Sequence, residues 1–417
     1  MIYGLLGKKL GHSYSPEIHE AFGRYSYRLI ELREDQLEDF LKSPEIGGLN
    51  VTIPYKEAVV KYCSRLTPLA EKIGAVNTIY REPGAADHPS QLVGDNTDYD
   101  GFLALLRKAS ISLTEKKVVV LGSGGASRMV QQACRDLGVR DLIIVTRDGR
   151  EGTIPYESLN HHTDSEIIIH TTPVGMYPNN GESPVNLDLF PHCQAVVDLI
   201  YNPLTTRLLA QAKERNLIAA GGLSMLVDQA AKACQRFTGQ EVPLEDIERI
   251  TRELEGKIRN IVLIGMPGCG KTTMGRLLSE ELGRPFLDMD SIIEKEKGLT
   301  IPQIFERYGE EEFRRLEREL AERIGKERGQ IISTGGGIVL HPDNVRNLSQ
   351  NGTLIFLDRP TSLLARNGRP LSVSTEAIEK MARDRMALYK GASDYIISMD
   401  ESPDVNLEKL MKIIQSK

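Results

Sequence analysis

Residues 261–275, IVLIGMPGCGKTTMG, leave the chain around them little structural freedom. An apolar run ends at Gly265, four residues pass, and Gly270, Lys271 and Thr272 lead into MGRLLSEEL, which has helical spacing. The pattern G-x-x-x-x-G-K-[ST] between a strand and a helix is a phosphate cradle. Glycines let backbone N–H groups turn inward, the helix N-terminus adds partial positive charge, and the lysine reaches the β and γ phosphates. Thr272 is placed to hold magnesium, so ATP and Mg²⁺ are expected, with Gly265, Gly268, Gly270, Lys271, Thr272 and Thr273 around them.

A second glycine-rich turn, VVVLGSGGASR at 118–128, has a different design. Gly122, Ser123, Gly124, Gly125 and Ala126 follow a strand and open the helix-compatible SRMVQQACRDLG, but Ser127 takes the third glycine position of G-x-G-x-x-G. A dinucleotide pyrophosphate fits such a turn, and so does a plain tight turn of another α/β domain. The next strand ends in LIIVTRDGR, with Thr146 at its end. Arg147 is placed for the 2′-phosphate of NADP, whereas Asp148 suits the free ribose hydroxyl of NAD; NADP is the expected cofactor.

With 417 residues the chain exceeds one hydrophobic core, at roughly 100–200 residues per domain. Apolar strands such as LIIVT, EIIIHT and AVVDLI alternate with helix-compatible stretches up to about residue 222, as in a parallel sheet covered by helices. The stretch 241–257, EVPLEDIERITRELEGK, has apolar residues at helical spacing and reads as a linker helix or as the last helix of the first domain. A new strand is expected from Ile258, and TLIFLD is a further buried strand. Five scattered cysteines without C-x-x-C spacing argue against a disulfide framework or structural zinc. No apolar run approaches the roughly 18 residues of a membrane span, and the start lacks the pattern of a secretory signal, so a cytoplasmic location is expected. A net charge of -6 gives no long-range attraction for nucleic acid or anionic lipid. The partners expected are small molecules, and the sequence carries no signal that sets an oligomeric state.

Downstream of the cradle, FLDMD (286–290) places Asp288 and Asp290 two apart, on the same side of a strand. One can enter a magnesium shell while the other orients an attacking hydroxyl. GEEEFRRLE (309–317) puts Arg314 and Glu317 on one helical face, and STGGGIV (333–339) is another glycine turn after a strand. With these motifs, residues 258–417 resemble shikimate kinase, a P-loop fold with a parallel sheet. The resemblance implies that Asp290 holds the substrate hydroxyls and acts as base, and that Asp288 supports magnesium. Arg314 and Arg385 would meet the shikimate carboxylate, Gly335, Gly336 and Gly337 would give close backbone approach, and Arg369 in RNGRPL would be the lid arginine at the transferring phosphoryl group. SLLARNGRPL is more compact than the family's usual lid, so an adenine-side role for Arg366 does not carry over directly.

Upstream, GHSYSPEIH offers Ser13 and Ser15, NVTIPYK offers Lys56, GAVNT offers Asn77 and GDNTDYDG offers Asp98. Hydroxyls, an amide, an ammonium and a carboxylate together suit a polyol carboxylate. With TTPVGM (171–176), DLIYNPLTT (198–206) and GGLSMLVDQAA (221–231), residues 1–240 resemble shikimate dehydrogenase. The resemblance implies an α/β substrate domain (1–98 with 223–240) and a Rossmann-like NADP domain (99–222), followed by the linker (241–257) and the kinase domain (258–417). Ser13, Ser15, Asn77 and Gln229 would bind the shikimate carboxylate and hydroxyls, Thr52 and Tyr201 would line the pocket, Gly222 would join the cofactor side, and Lys56 with Asp98 would form the catalytic pair. Glu20 and His170 stand where the family commonly has asparagine, and His170 is expected to alter the nicotinamide side. Together the resemblances imply reduction of 3-dehydroshikimate to shikimate and its phosphorylation in one chain. The alternatives are a dehydrogenase with a non-catalytic ATP-binding module and a dehydrogenase that also takes quinate.

Overall fold

Connection length decides how neighbouring strands pair, because parallel strands need a crossover of about a dozen residues while antiparallel ones can follow a short turn. The computed structural model describes residues 1–11, 13–82, 91–364 and 375–415, and the chain divides into units Met1–Leu254 and Glu255–Lys417. In the first unit, β1 (Ile2–Gly7), β2 (Arg28–Glu31), β3 (Ile46–Val51), β4 (Arg65–Leu66), β5 (Thr78–Glu82) and β6 (Gln91–Asp95) form a sheet in the order β2-β1-β3-β5-β6-β4. β1 runs parallel to β2 and β3, but β5 is antiparallel to both β3 and β6. Only residues 83–90 separate β5 from β6, too few for a crossover. This sheet is therefore mixed, a departure from the wholly parallel arrangement expected from the alternating pattern.

The second sheet of this unit contains β7 (Lys117–Leu121), β8 (Asp141–Thr146), β9 (Ile154–Pro155), β10 (Ile167–His170), β11 (Ala195–Asp198) and β12 (Ile218–Gly221). Its order is β12-β11-β10-β7-β8-β9, and every pair is parallel. The chain builds outward from β7 in one direction and then, from β10, in the other. This is the doubly wound dinucleotide-binding order, whose crevice opens beyond the carboxyl ends of β7 and β10. The central strands read Val118–Leu121, Ile167–Ile169 and Ala195–Val197 because helices and loops bury them from both faces.

After β12 the helix Leu223–Thr238 returns to the mixed sheet and packs along the helix Asp98–Lys108. Gly48 on β3 makes room for the Phe237 ring, and Arg236 donates to the Asp95 carboxylate at 2.7 Å. Asp95, only 3% exposed, also accepts from the Thr67 hydroxyl at 2.6 Å and the Asn96 amide at 2.8 Å.

The second unit carries β13 (Asn260–Ile264), β14 (Phe286–Asp288), β15 (Ile331–Ser333), β16 (Gly352–Asp358) and β17 (Tyr395–Ser398) in the order β14-β15-β13-β16-β17, all parallel. The phosphate-cradle turn leaves the central strand β13. The preceding helix runs Leu244–Ile258, and the strand expected from Ile258 begins at Asn260. Ile258 is buried and continues the i, i+4 stripe of Ile250 and Leu254, so the helical period holds through it. Among the described residues no helix is long and apolar enough to cross a membrane, and all five cysteines are free.

Replacing Arg236 by Met strands the buried Asp95 carboxylate without its cation. It is expected to destabilise the first unit by about 2 kcal/mol in denaturant unfolding, leaving the transition of the second unit unmoved. An unchanged first transition would show that Thr67 and Asn96 suffice.

Candidate active sites

Lys56 sits in the turn after β3 and Asp98 opens the helix Asp98–Lys108, yet the Lys56 ammonium lies 2.5 Å from the Asp98 carboxylate, with both side chains mostly buried. One residue away, Thr97 ties this pair to a polar network. Its amide donates to the Asn77 side-chain carbonyl at 2.7 Å, and the Asn77 amide reaches the Thr97 hydroxyl at 3.2 Å and the Gln229 carbonyl at 3.4 Å. In sequence only its place in the GDNTD string, beside the expected acid, marks Thr97. Ser13 and Ser15 stand with hydroxyls 3.1 Å apart, and the Ser15 amide donates to the Ser13 hydroxyl. Tyr201 packs against Tyr14 between them, ring centroids 5.8 Å apart, and burial raises its phenol above the ordinary tyrosine value. The Thr52 amide donates to Leu6 at the end of β1. Lys56, Asp98, Asn77 and Gln229 are thus brought together, and Ser13, Ser15 and Tyr201 form a second group.

The glycine turn after β7 faces this region, since a Cβ on Gly125 would stand 3.6 Å from the Lys56 side chain. Gly122 has φ 111°, and a Cβ there would meet the Thr171 hydroxyl at 2.7 Å, so only glycine suits the turn. Ser127, at the third glycine position, donates to the Gly122 carbonyl at 2.7 Å and so closes the turn. The helix Gly125–Asp136 begins at Gly124 with no side-chain cap, leaving its first N–H groups directed at the crevice. The cradle accordingly fits a pyrophosphate. Beyond β8, Asp148 pairs with Arg150 at 3.5 Å, and a hydrogen bond from Thr146 holds its carboxyl below the usual aspartate range. Arg147 is exposed and has no acidic partner among the described residues. Gly222 caps the helix Leu223–Thr238 against the Leu199 carbonyl, at the far edge of the same row of strand ends.

His170 is wholly buried: one ring nitrogen meets Asp198 at 3.0 Å and the other the Thr172 hydroxyl at 2.6 Å. Asp198 also accepts from the Ile200 amide and the Thr206 hydroxyl. The imidazole joins the ends of β10 and β11, and its ring is not open to a ligand.

In the second unit a cavity of about 400 Å³ opens over the phosphate cradle. The Lys271 ammonium bonds to the Gly265 and Met266 carbonyls at 2.9 and 3.0 Å, which places it inside the loop. Asp288 and Asp290 do not share a strand face. The Asp288 carboxylate accepts from the Ser291 amide at 3.1 Å and so caps the helix Met289–Lys297, which puts Asp290 in a first helical turn. The cap ends the strand at Asp288, two residues short of Asp290. Asp290 lines the cavity, its carboxylate 3.0 Å from where a Gly335 Cβ would stand, and Asp288 accepts from the hydroxyl of the lining residue Thr272 at 2.7 Å.

Gly337 leaves space that a Cβ would take from the Arg314 guanidinium, and the Gly336 carbonyl accepts from Arg385 at 2.8 Å and from Tyr389. Arg314 pairs with Glu317 at 2.9 Å and with Glu310 at 3.0 Å. Glu317 is 1% exposed, and its second carboxyl oxygen has no hydrogen-bond partner among the described residues, facing Gly335 instead. Burial raises its carboxyl above the ordinary glutamate value, with Arg314 opposing the rise. In sequence Glu317 shows only as a helical partner of Arg314, because burial of a helix position facing a distant turn leaves no local mark. Arg366 and Arg369 lie outside the described residues. Thr272 and Asp288 offer a hydroxyl and a carboxylate, and among the described residues no cluster of three or more His, Cys, Asp or Glu stands together. That donor pair fits magnesium, which takes one or two carboxylates and completes its shell with phosphates and water.

Comparison with known proteins follows the same division. A family model described as shikimate kinase matches residues 267–415, one described as shikimate dehydrogenase substrate binding domain matches 5–79, and one described as shikimate 5'-dehydrogenase C-terminal domain matches 222–250. The shikimate dehydrogenase (NADP(+)) of Clostridium beijerinckii is 39% identical over 248 residues, covering 55% of this chain and 89% of that protein. A chorismate mutase/shikimate 5-dehydrogenase fusion from Clostridium acetobutylicum superposes with a TM-score of 0.57 at 39% identity, covering 61% of this chain and 97% of that one. The shikimate 5-dehydrogenase of Thermus thermophilus, solved with NADP(H) and shikimate, gives 0.54 at 32% identity, covering 61% and 99%.

The Glu317 carboxyl is expected to titrate above an ordinary glutamate in a carbon-13 NMR experiment, and Arg314→Met should push it higher still by removing the opposing charge. A midpoint at or below the ordinary value would contradict the burial described for this side chain.

Proposed function

Because this chain belongs to the shikimate dehydrogenase family and carries a shikimate kinase domain after it, we propose that it is bifunctional. Its first unit would reduce 3-dehydroshikimate to shikimate with NADPH, and its second would phosphorylate shikimate with ATP and Mg²⁺. The observation that carries the reading is that each unit holds a nucleotide cradle and, beside it, groups suited to the same polyol carboxylate: Lys56, Asp98, Asn77 and Gln229 in one, Asp290, Arg314 and the Gly335–Gly337 turn in the other. The proposed division is a substrate domain (1–98 with 223–240), a dinucleotide domain (99–222), a linker helix (241–257) and a kinase domain (258–417).

In the first unit the bound nicotinamide supplies a hydride to the carbonyl carbon. Negative charge then grows on the carbonyl oxygen, and a proton must reach it. Lys56 supplies both the cation and the proton, and Asp98 fixes the direction of the ammonium. Ser13, Ser15, Asn77 and Gln229 orient the carboxylate and hydroxyls, and Tyr201 and Thr52 complete the wall. Arg147, without an acid of its own among the described residues, favours the 2′-phosphate of NADP, while Asp148 is engaged by Thr146 and Arg150.

In the second unit Asp290 aligns the substrate hydroxyl, Arg314 and Arg385 hold the carboxylate, and the backbone around Lys271 surrounds the phosphates. Thr272 and Asp288 would hold the magnesium ion, whose charge offsets that of the phosphates, and Arg369 is assigned to the lid. A purely regulatory ATP module would have no need for Arg314, Glu317 and Asp290 gathered on one glycine turn.

Two variants separate the activities. Lys56→Ala is expected to lower kcat for NADPH oxidation by at least ~100-fold with kinase turnover retained, and Asp290→Asn to do the reverse. Steady-state assays of both reactions on each purified chain check this. Ordinary NADPH turnover in the first variant, or ordinary phosphorylation in the second, would refute the corresponding assignment.

A further inference from the structure

Arg359 follows β16 directly and reaches the phosphate cradle from the side. Its Nη1 lies 3.8 Å from where a Cβ on Gly270 would stand, and its side chain lines the cavity with Gly268, Gly270 and Lys271. Lys271 is already bound by two carbonyls, whereas Arg359 has no ion-pair or hydrogen-bond partner among the described residues. Its Nε is buried and has no hydrogen-bond partner among the described residues. A guanidinium with a buried unpaired donor beside an anion cradle is matched by a ligand that brings acceptors.

The sheet tells which acceptors. β13 lies between β15 and β16, the Gly335–Gly337 turn follows β15, and Arg359 follows β16. The acceptor groups and Arg359 thus flank the cradle on opposite sides. In phosphoryl transfer the moving group travels toward the acceptor, and the diphosphate remains on the other flank.

Resting on the kinase reading above, we propose that Arg359 is a nucleotide-binding residue that holds the phosphates retained in the diphosphate product. It acts independently of the lid arginine assigned at Arg369. Contact with phosphates common to ATP and ADP makes both bind more weakly when it is removed, while the adenosine and shikimate contacts are untouched.

The test is calorimetric titration of the full chain with ADP and with adenosine, joined to kinase and dehydrogenase kinetics. Arg359→Met is expected to raise the ADP Kd and the ATP KM together by about tenfold or more, with adenosine binding, shikimate KM and NADPH turnover unchanged. Arg359→Lys keeps a charge without the planar fork and should recover part of the loss. It also decides the matter should the Met variant fail to fold. ADP affinity within twofold of the parent in the folded variants would overturn the proposal. So would absence of ADP binding by the parent chain. A parent that binds ADP tightly but does not phosphorylate shikimate would sink the bifunctional reading alone, since the ADP titrations still decide the role of Arg359.

Discussion

A strand that ends in a glycine turn and feeds a helix leaves the first N–H groups of that helix without acceptors, and both nucleotide cradles of this chain are organised around that shortfall. Neither the helix at Gly125 nor the helix at Lys271 is capped by a side chain. Each follows the strand at which its parallel sheet changes direction, β7 in one unit and β13 in the other. The remaining site residues stand on neighbouring strand ends because that is where a crevice opens. The two loops differ for a chemical reason. A pyrophosphate that is only anchored needs the turn and the helix end, as at Gly122–Gly125. On the proposed reading a phosphate to be transferred must be surrounded, and Lys271 inside the loop with the Thr272 hydroxyl and the Asp288 carboxylate nearby would serve that need.

Legibility in the sequence tracked the range of the interaction. The cradle at 265–273 could be read because its geometry is set within a few residues. The strand order around β7 was implied by apolar runs separated by helical stretches, but the antiparallel β5 was not, since pairing direction depends on the short 83–90 connection. The two-residue alternation of Asp288 and Asp290 suggests a strand face, but the bond from the Ser291 amide to Asp288 starts a helix there and overrides it. Ile258 adjoins the apolar run of β13, which suggests a strand, but its stripe with Ile250 and Leu254 keeps it in the preceding helix. Glu317 and Arg359 owe their surroundings to turns that lie far off in sequence or across the sheet, and no local pattern marks them.

Two side chains that stand where a motif would put another residue have structural jobs. Ser127, at the third glycine position of the general nucleotide pattern, ties down Gly122 through its hydroxyl, and His170, where the family commonly has asparagine, bridges Thr172 and Asp198 in the core. Both sets of bonds lie at strand ends beside the glycine turn after β7, and neither takes a group from the Lys56–Asp98 pair.

If two chemistries on one metabolite reside in one polypeptide, carbon-labelled 3-dehydroshikimate given to the single purified chain with NADPH, ATP and Mg²⁺ accumulates as shikimate 3-phosphate, with one ATP and one NADPH consumed per product. Label that stops at shikimate while ATP is untouched would contradict it.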